Sequence, residues 1–105
     1  MPFNQLTDAE AERLALLLEE LGEAQQAIGK ILRHGYASMR PMNVEADNDI
    51  YNRDDLEKEL GDVAAAISLM CDAGDINPLR IKQYQLQKLE NVEKYLHHQE
   101  ASHEQ

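Results

Sequence analysis

Apolar residues recur every three or four positions at Leu14, Leu17, Leu18, Leu21, Ala24, Ile28, Ile31 and Leu32, the period of one helical face. Thr7 and Glu10 stand at capping-box spacing before this run, and Arg33, His34 and Gly35 close it. The pattern predicts a helix over 8–34, roughly 40 Å long at 1.5 Å per residue. A second stripe, Leu56, Leu60, Val63, Ala64, Ile67, Met70 and Cys71, predicts a helix from an Asn52 cap to near Gly74, with Asp54 and Asp55 suiting its positive end. Asn77-Pro78 then reads as a cap followed by proline in the first turn. The third helix is expected to run to about residue 98 through Leu79, Leu86, Leu89, Val92 and Leu96, followed by a polar, frayed tail from about 99.

Residues 35–52 carry Gly35, Pro41 and several Asn and Asp without sustained periodicity. Such a segment is either a functional loop or a plain connector; Tyr36, Met39, Arg40 and Met42 are its residues suited to touch a ligand. The fold class expected is all-α, an antiparallel helical bundle of three long helices, with no β-sheet in its body. Three amphipathic helices of roughly 20 to 27 residues leave little core in one chain, so completion by oligomerisation is expected. A homodimer is the first expectation and a dimer of dimers the second.

Composition narrows the chemistry. A chain of 105 residues with 43% hydrophobic residues and no Trp suits a single domain, 1–105, with a modest core of Leu, Ile, Ala and Met. The formal net charge of -10 argues against nucleic acid, which needs clustered Lys and Arg. Cys71 is the only cysteine, which excludes an intrachain disulfide and suits a buried thiol in a reducing compartment. No run approaches the roughly 20 apolar residues of a membrane span, and the N-terminus lacks signal-peptide character. A cytoplasmic protein without a membrane partner is expected.

Two acidic pairs stand inside these stripes: Glu20-x-x-Glu23 and Glu59-x-x-Asp62. Residues three apart share a helical face, so each pair aims two carboxylates at one region. With Glu20 set at zero on the wheel, Glu23 falls at about -60°, Ala27 at -20°, Lys30 at -80° and His34 at -40°. With Glu59 at zero, Asp62 falls at about -60° and Asp55 at -40°. Both pairs thus border the apolar stripe, where an ionised carboxylate is costly unless compensated. Packed together, the two helices would gather four oxygen donors suited to Mg²⁺ or Mn²⁺. An acidic protein acting on an anionic phosphate needs such an ion to reverse the local sign. A solvated acidic edge is the plain alternative for either pair alone; two matched pairs, each beside a mid-helix glycine (Gly22, Gly61), favour the metal. Glycine there costs about 1 kcal/mol against alanine, which suggests close approach of a backbone or ligand.

At Glu19-Glu20-Leu21-Gly22-Glu23 and Glu59-Leu60-Gly61-Asp62-Val63 the chain resembles the MazG-like nucleoside triphosphate pyrophosphohydrolases, whose signature is EExxE on one helix and ExxD on the next. The resemblance covers roughly residues 10–98. It implies an all-α fold, Mg²⁺ dependence, and hydrolysis of a nucleotide's α–β phosphoanhydride. It further implies that Glu20, Glu23, Glu59 and Asp62 hold metal, while Glu19 supports the site or orients water. Either Glu20 or Glu23 could accept the water's proton. The interval from Glu23 to Glu59 is longer than is usual in that family, owing to residues 35–52.

Secondary candidates are basic or amide-bearing. Lys30 lies on the acidic face and could meet a phosphate oxygen, although it and His34 also suit a helix C-terminus. On the third helix Tyr84, Lys88, Asn91 and Tyr95 share a face; Lys88 and Asn91 could bind phosphate and sugar or base, or serve an amphipathic edge. His97, His98 and His103 lack the spacing of a zinc site. A phosphoribosyl-ATP pyrophosphatase-like enzyme is the alternative within enzymes, and a helical oligomerisation or adaptor protein the alternative outside them. The missing Glu-x-x-His spacing disfavours a di-iron bundle.

Overall fold

Thr7 starts the first helix as its sequence foretells. Its Oγ1 accepts from the Glu10 amide at 3.1 Å, and the Glu10 carboxylate accepts from the Thr7 amide at 2.8 Å. Helix α1 then runs Asp8–His34. Gly35 ends it at φ 89°, donating its amide to the Ile31 carbonyl at 2.7 Å; that left-handed backbone favours glycine. This computed structural model describes residues 3–40 and 50–99. Residues 41–49, which include Pro41 and Met42, fall outside the description, as do the side chains of Met39, Arg40 and Ile50 and the C-terminal residues with His103.

The second helix, α2, spans Asn52–Asp72. Asn52 is not its cap: Tyr51 occupies that position, with its amide donating to Asp54 Oδ2 at 3.1 Å. Asn52 is instead buried, and its Nδ2 donates to the Gly35 carbonyl at 3.1 Å. A buried amide that ties the end of α1 to the start of α2 is more useful here than an exposed cap. Beside it, β1 (Met39–Arg40) pairs antiparallel with β2 (Ile50–Tyr51), in the register Met39 to Tyr51 and Arg40 to Ile50. The periodicity did not foretell this two-residue ladder, which is too short to carry an alternating pattern. Apart from it, the described elements are helical.

Contacts between α1 and α2 are matched in reverse order along the sequence. Arg13 meets Asp75 just past α2, Glu20 and Glu23 meet Glu59 and Asp62, and Gly35 meets Asn52. The Arg13 pair is bidentate, Nε to Oδ2 at 2.6 Å and Nη2 to Oδ1 at 3.0 Å, a geometry that fixes orientation as well as charge. The buried apolar residues here are Ala24, Ala27, Ala66 and Met70. Three of the four are alanines, which let two helix axes approach closely.

The stripe on α1 is divided. Leu17, Ala24 and Ile31 turn inward, whereas Leu14, Leu18, Leu21, Ile28 and Leu32 are exposed, Leu18 by 74% and Leu32 by 83%. One continuous core face was expected; one partner helix covers only part of so wide a stripe. Gly22 and Gly61 also depart from expectation, since a Cβ at either would meet nothing within 4 Å. Among the described residues no other element's backbone presses on them.

The chain divides into two compact units, Met1–Asp75 and Ile76–Gln105, each described by itself. The second holds α3 (Pro78–Asn91), capped by Asn77 Oδ1 accepting from the Leu79 amide at 2.9 Å. The helix ends at Asn91 rather than near 98, and Val92–Tyr95 continues as a 3₁₀ turn. Asn91 Nδ2 donates back to the Gln87 carbonyl at 2.9 Å, competition with the helical ladder of the kind that favours a terminus. No helix among the described residues is long and apolar enough to cross a membrane.

Candidate metal centre

The face of α1 beside its alanines carries Glu20 and Glu23, and the facing edge of α2 carries Glu59 and Asp62. One carboxylate oxygen from each of the four lies within 4.8 Å of all the others. All four residues are half-buried. The three-residue spacing aims each pair, and the small Ala24, Ala27 and Ala66 allow the approach that brings the pairs together.

Electrostatics there are unfavourable without a cation. Glu20 Oε2 and Glu59 Oε2 are buried and have no hydrogen-bond partner among the described residues, although buried carboxylate oxygens are ordinarily satisfied. The Glu59 side chain is only 17% exposed. Its carboxyl is pushed above the ordinary 4.5, first by contact with the Glu23 carboxyl, which becomes a hydrogen bond once one of the two is protonated, and then by loss of water. Orphaned oxygens in an all-oxygen donor set fit a hard divalent cation.

One cation of the chain already reaches the cluster. Lys58 Nζ donates to Asp62 Oδ2 at 3.0 Å and lies 3.7 Å from Glu59 Oε1. Its pKa is raised, foremost by the hydrogen bond to Asp62. Lys58 is not among the residues singled out from the acidic motifs, yet it stands four residues before Asp62, at about -100° on the wheel against -60°. That position was readable.

A groove of about 370 Å³ adjoins the acids, lined by Glu23, Gln26, Ala27, Lys30, Asp55, Lys58 and Glu59. Lys30 thus stands where the wheel put it, on the acidic face and beside two of the four carboxylates. Glu19 is exposed, and His34 is exposed in the last turn of α1. Lys88 and Asn91 belong to α3, in the other unit. Tyr36 lies under the Arg53 guanidinium, 5.1 Å from ring centre, and with Tyr51 and Asp54 lines a smaller cavity of about 180 Å³. Arg53 lies about 120° round α2 from Glu59, so this cavity faces away from the acids.

Among known proteins, the family model described as the MazG nucleotide pyrophosphohydrolase domain matches residues 9–97. No curated protein and no solved structure matches the chain.

Proposed function

The chain belongs to the MazG nucleotide pyrophosphohydrolase domain family, and we propose that it hydrolyses a nucleoside triphosphate, ribo or deoxyribo, between the α- and β-phosphates to release the monophosphate and pyrophosphate. The observation that carries this reading is the convergence of Glu20, Glu23, Glu59 and Asp62 with two buried, unpartnered oxygens among them. These four residues would hold Mg²⁺, with Mn²⁺ as a substitute. Bound there, the metal would neutralise phosphate charge and make its water more acidic.

The chain's own residues supply the rest. Glu20 or Glu23 takes the proton of the attacking water. Lys30, on the groove wall, receives the phosphate chain. Glu19 orients water from the outer side of the same helix. Lys88 and Asn91 of α3 are the residues proposed to contact the rest of the nucleotide. The working assembly is a homodimer or a dimer of dimers, supported by the apolar residues of α1 left exposed, Leu18 and Leu32 above all.

A panel of nucleoside triphosphates with Mg²⁺, scored for pyrophosphate against orthophosphate, tests the reaction. Pyrophosphate release from at least one canonical or modified nucleotide is expected. Orthophosphate alone, or no release with any nucleotide, contradicts it. Phosphoribosyl-ATP belongs in the panel, because cleavage of that nucleotide alone would move the assignment to the neighbouring enzyme class.

A further inference from the structure

The two acidic pairs differ in what accompanies them. The α2 pair carries an ammonium on its own helix, with Lys58 Nζ 3.0 Å from Asp62 and 3.7 Å from Glu59. Each pair also keeps one buried oxygen without a partner among the described residues, Glu20 Oε2 on α1 and Glu59 Oε2 on α2. Lys58 is 67% exposed, so its long stem is not locked by packing, and it lines the same groove as Lys30. It therefore stands at the boundary between the carboxylates and a neighbouring groove furnished with a second cation, Lys30.

We propose that Lys58 is a tethered counter-ion of the acidic centre, neutralising the α2 pair in the metal-free protein, yielding those carboxylates to a divalent cation, and then serving the pyrophosphate moiety in the groove together with Lys30. This rests on the pyrophosphohydrolase reading above. Two cations competing for the same oxygens repel each other, and the singly charged, flexible one is displaced more readily. Once released, Lys58 has its nearest use in the groove it already lines, where an anion with several negative charges accepts a charge-assisted hydrogen bond. Lys58 thus opposes metal binding and favours phosphate binding. A residue with a purely structural role would not move the two affinities in opposite directions.

The test is calorimetric titration of the full chain with Mg²⁺, and then with inorganic pyrophosphate at saturating Mg²⁺. Wild type, Lys58→Met and Lys58→Arg are compared; Met keeps an unbranched stem and removes the charge. For Lys58→Met, Mg²⁺ affinity should rise up to about fivefold, the scale of an exposed ion pair no longer competing. Its pyrophosphate affinity should fall about tenfold, the scale of one lost charged hydrogen bond. Lys58→Arg should restore wild-type behaviour in both titrations. Unchanged pyrophosphate affinity in Lys58→Met, or both affinities moving the same way, overturns the counter-ion role while leaving the pyrophosphohydrolase reading intact. Failure of the wild-type protein to bind Mg²⁺ overturns both.

Discussion

The α1 and α2 acid pairs have the same spacing and sit on the same edge of the same kind of apolar stripe, yet the α2 pair has a lysine of its own helix, Lys58, in direct ion-pair contact. Lys58 offsets part of the charge of Glu59 and Asp62, and each pair keeps one buried oxygen without a partner among the described residues, Glu20 Oε2 on α1 and Glu59 Oε2 on α2. Two pairs with the same spacing therefore differ in the cation that accompanies them. The cluster is held together by helix packing against its own repulsion, as expected of a site shaped for a ligand rather than for stability.

The largest effect should come from removing charge from either pair. Glu59→Gln, Asp62→Asn, Glu20→Gln or Glu23→Gln should each lower Mg²⁺-dependent pyrophosphate release by about 100-fold or more. Thermal melts should show the metal-free variants still folded, with Tm equal to or above wild type because a mutual repulsion has gone. Losses confined to one pair would show that the two do not act as one centre.

Glu59 of the cluster and Asp75 of the Arg13 ion pair should respond in opposite directions to pH in stability measurements. Glu59 holds its proton more tightly in the folded protein than in the unfolded chain, so its contribution is present at low pH and is lost as pH rises through its raised value. Asp75 is the reverse: hydrogen bonding to Arg13 lowers its pKa from 3.8, so its contribution is present at neutral pH and lost as pH falls below that value. Metal-free Glu59→Gln should therefore lose the decline in Tm above pH 4.5 that Glu59 causes, and Asp75→Asn should flatten the acid limb. Saturating Mg²⁺ should raise the wild-type Tm at neutral pH and leave that of Glu59→Gln nearly unmoved.

A smaller structural effect sharpens why the pairs meet at all. Ala66, 1% exposed, lies on α2 one turn beyond Asp62. Enlarging it by Ala66→Leu should destabilise the fold by roughly 1–3 kcal/mol and weaken Mg²⁺ binding by holding the helices apart. An unchanged Mg²⁺ affinity in a destabilised protein would separate helix spacing from site assembly.

Much of this site was legible before the fold. The three-residue spacing, the position of each pair beside its stripe, and the placement of Lys30 all follow from helical geometry, which is local. The bounds of α1 were legible for the same reason, since Thr7, Glu10 and Gly35 act within one turn. What escaped depended on distant partners or on competition. The Arg13–Asp75 pair joins residues far apart in sequence and has no periodic signature. Asn52 looked like a cap because nothing local reveals that Gly35 would claim its amide. The third helix is shorter than its pattern predicts because the apolar spacing continues through Leu96 while the backbone tightens into a 3₁₀ turn at Val92. The width of the α1 stripe was visible, but how much of it one chain covers was not.

The most direct test of the central claim is an Mg²⁺ titration of the metal-free protein by calorimetry, run on wild type and on the four single charge-removing variants. The account predicts saturable binding of one or two ions per chain in wild type and a marked loss of affinity in every variant, whether the change falls on α1 or on α2. Wild-type binding that survives Glu20→Gln and Glu59→Gln unchanged would contradict it.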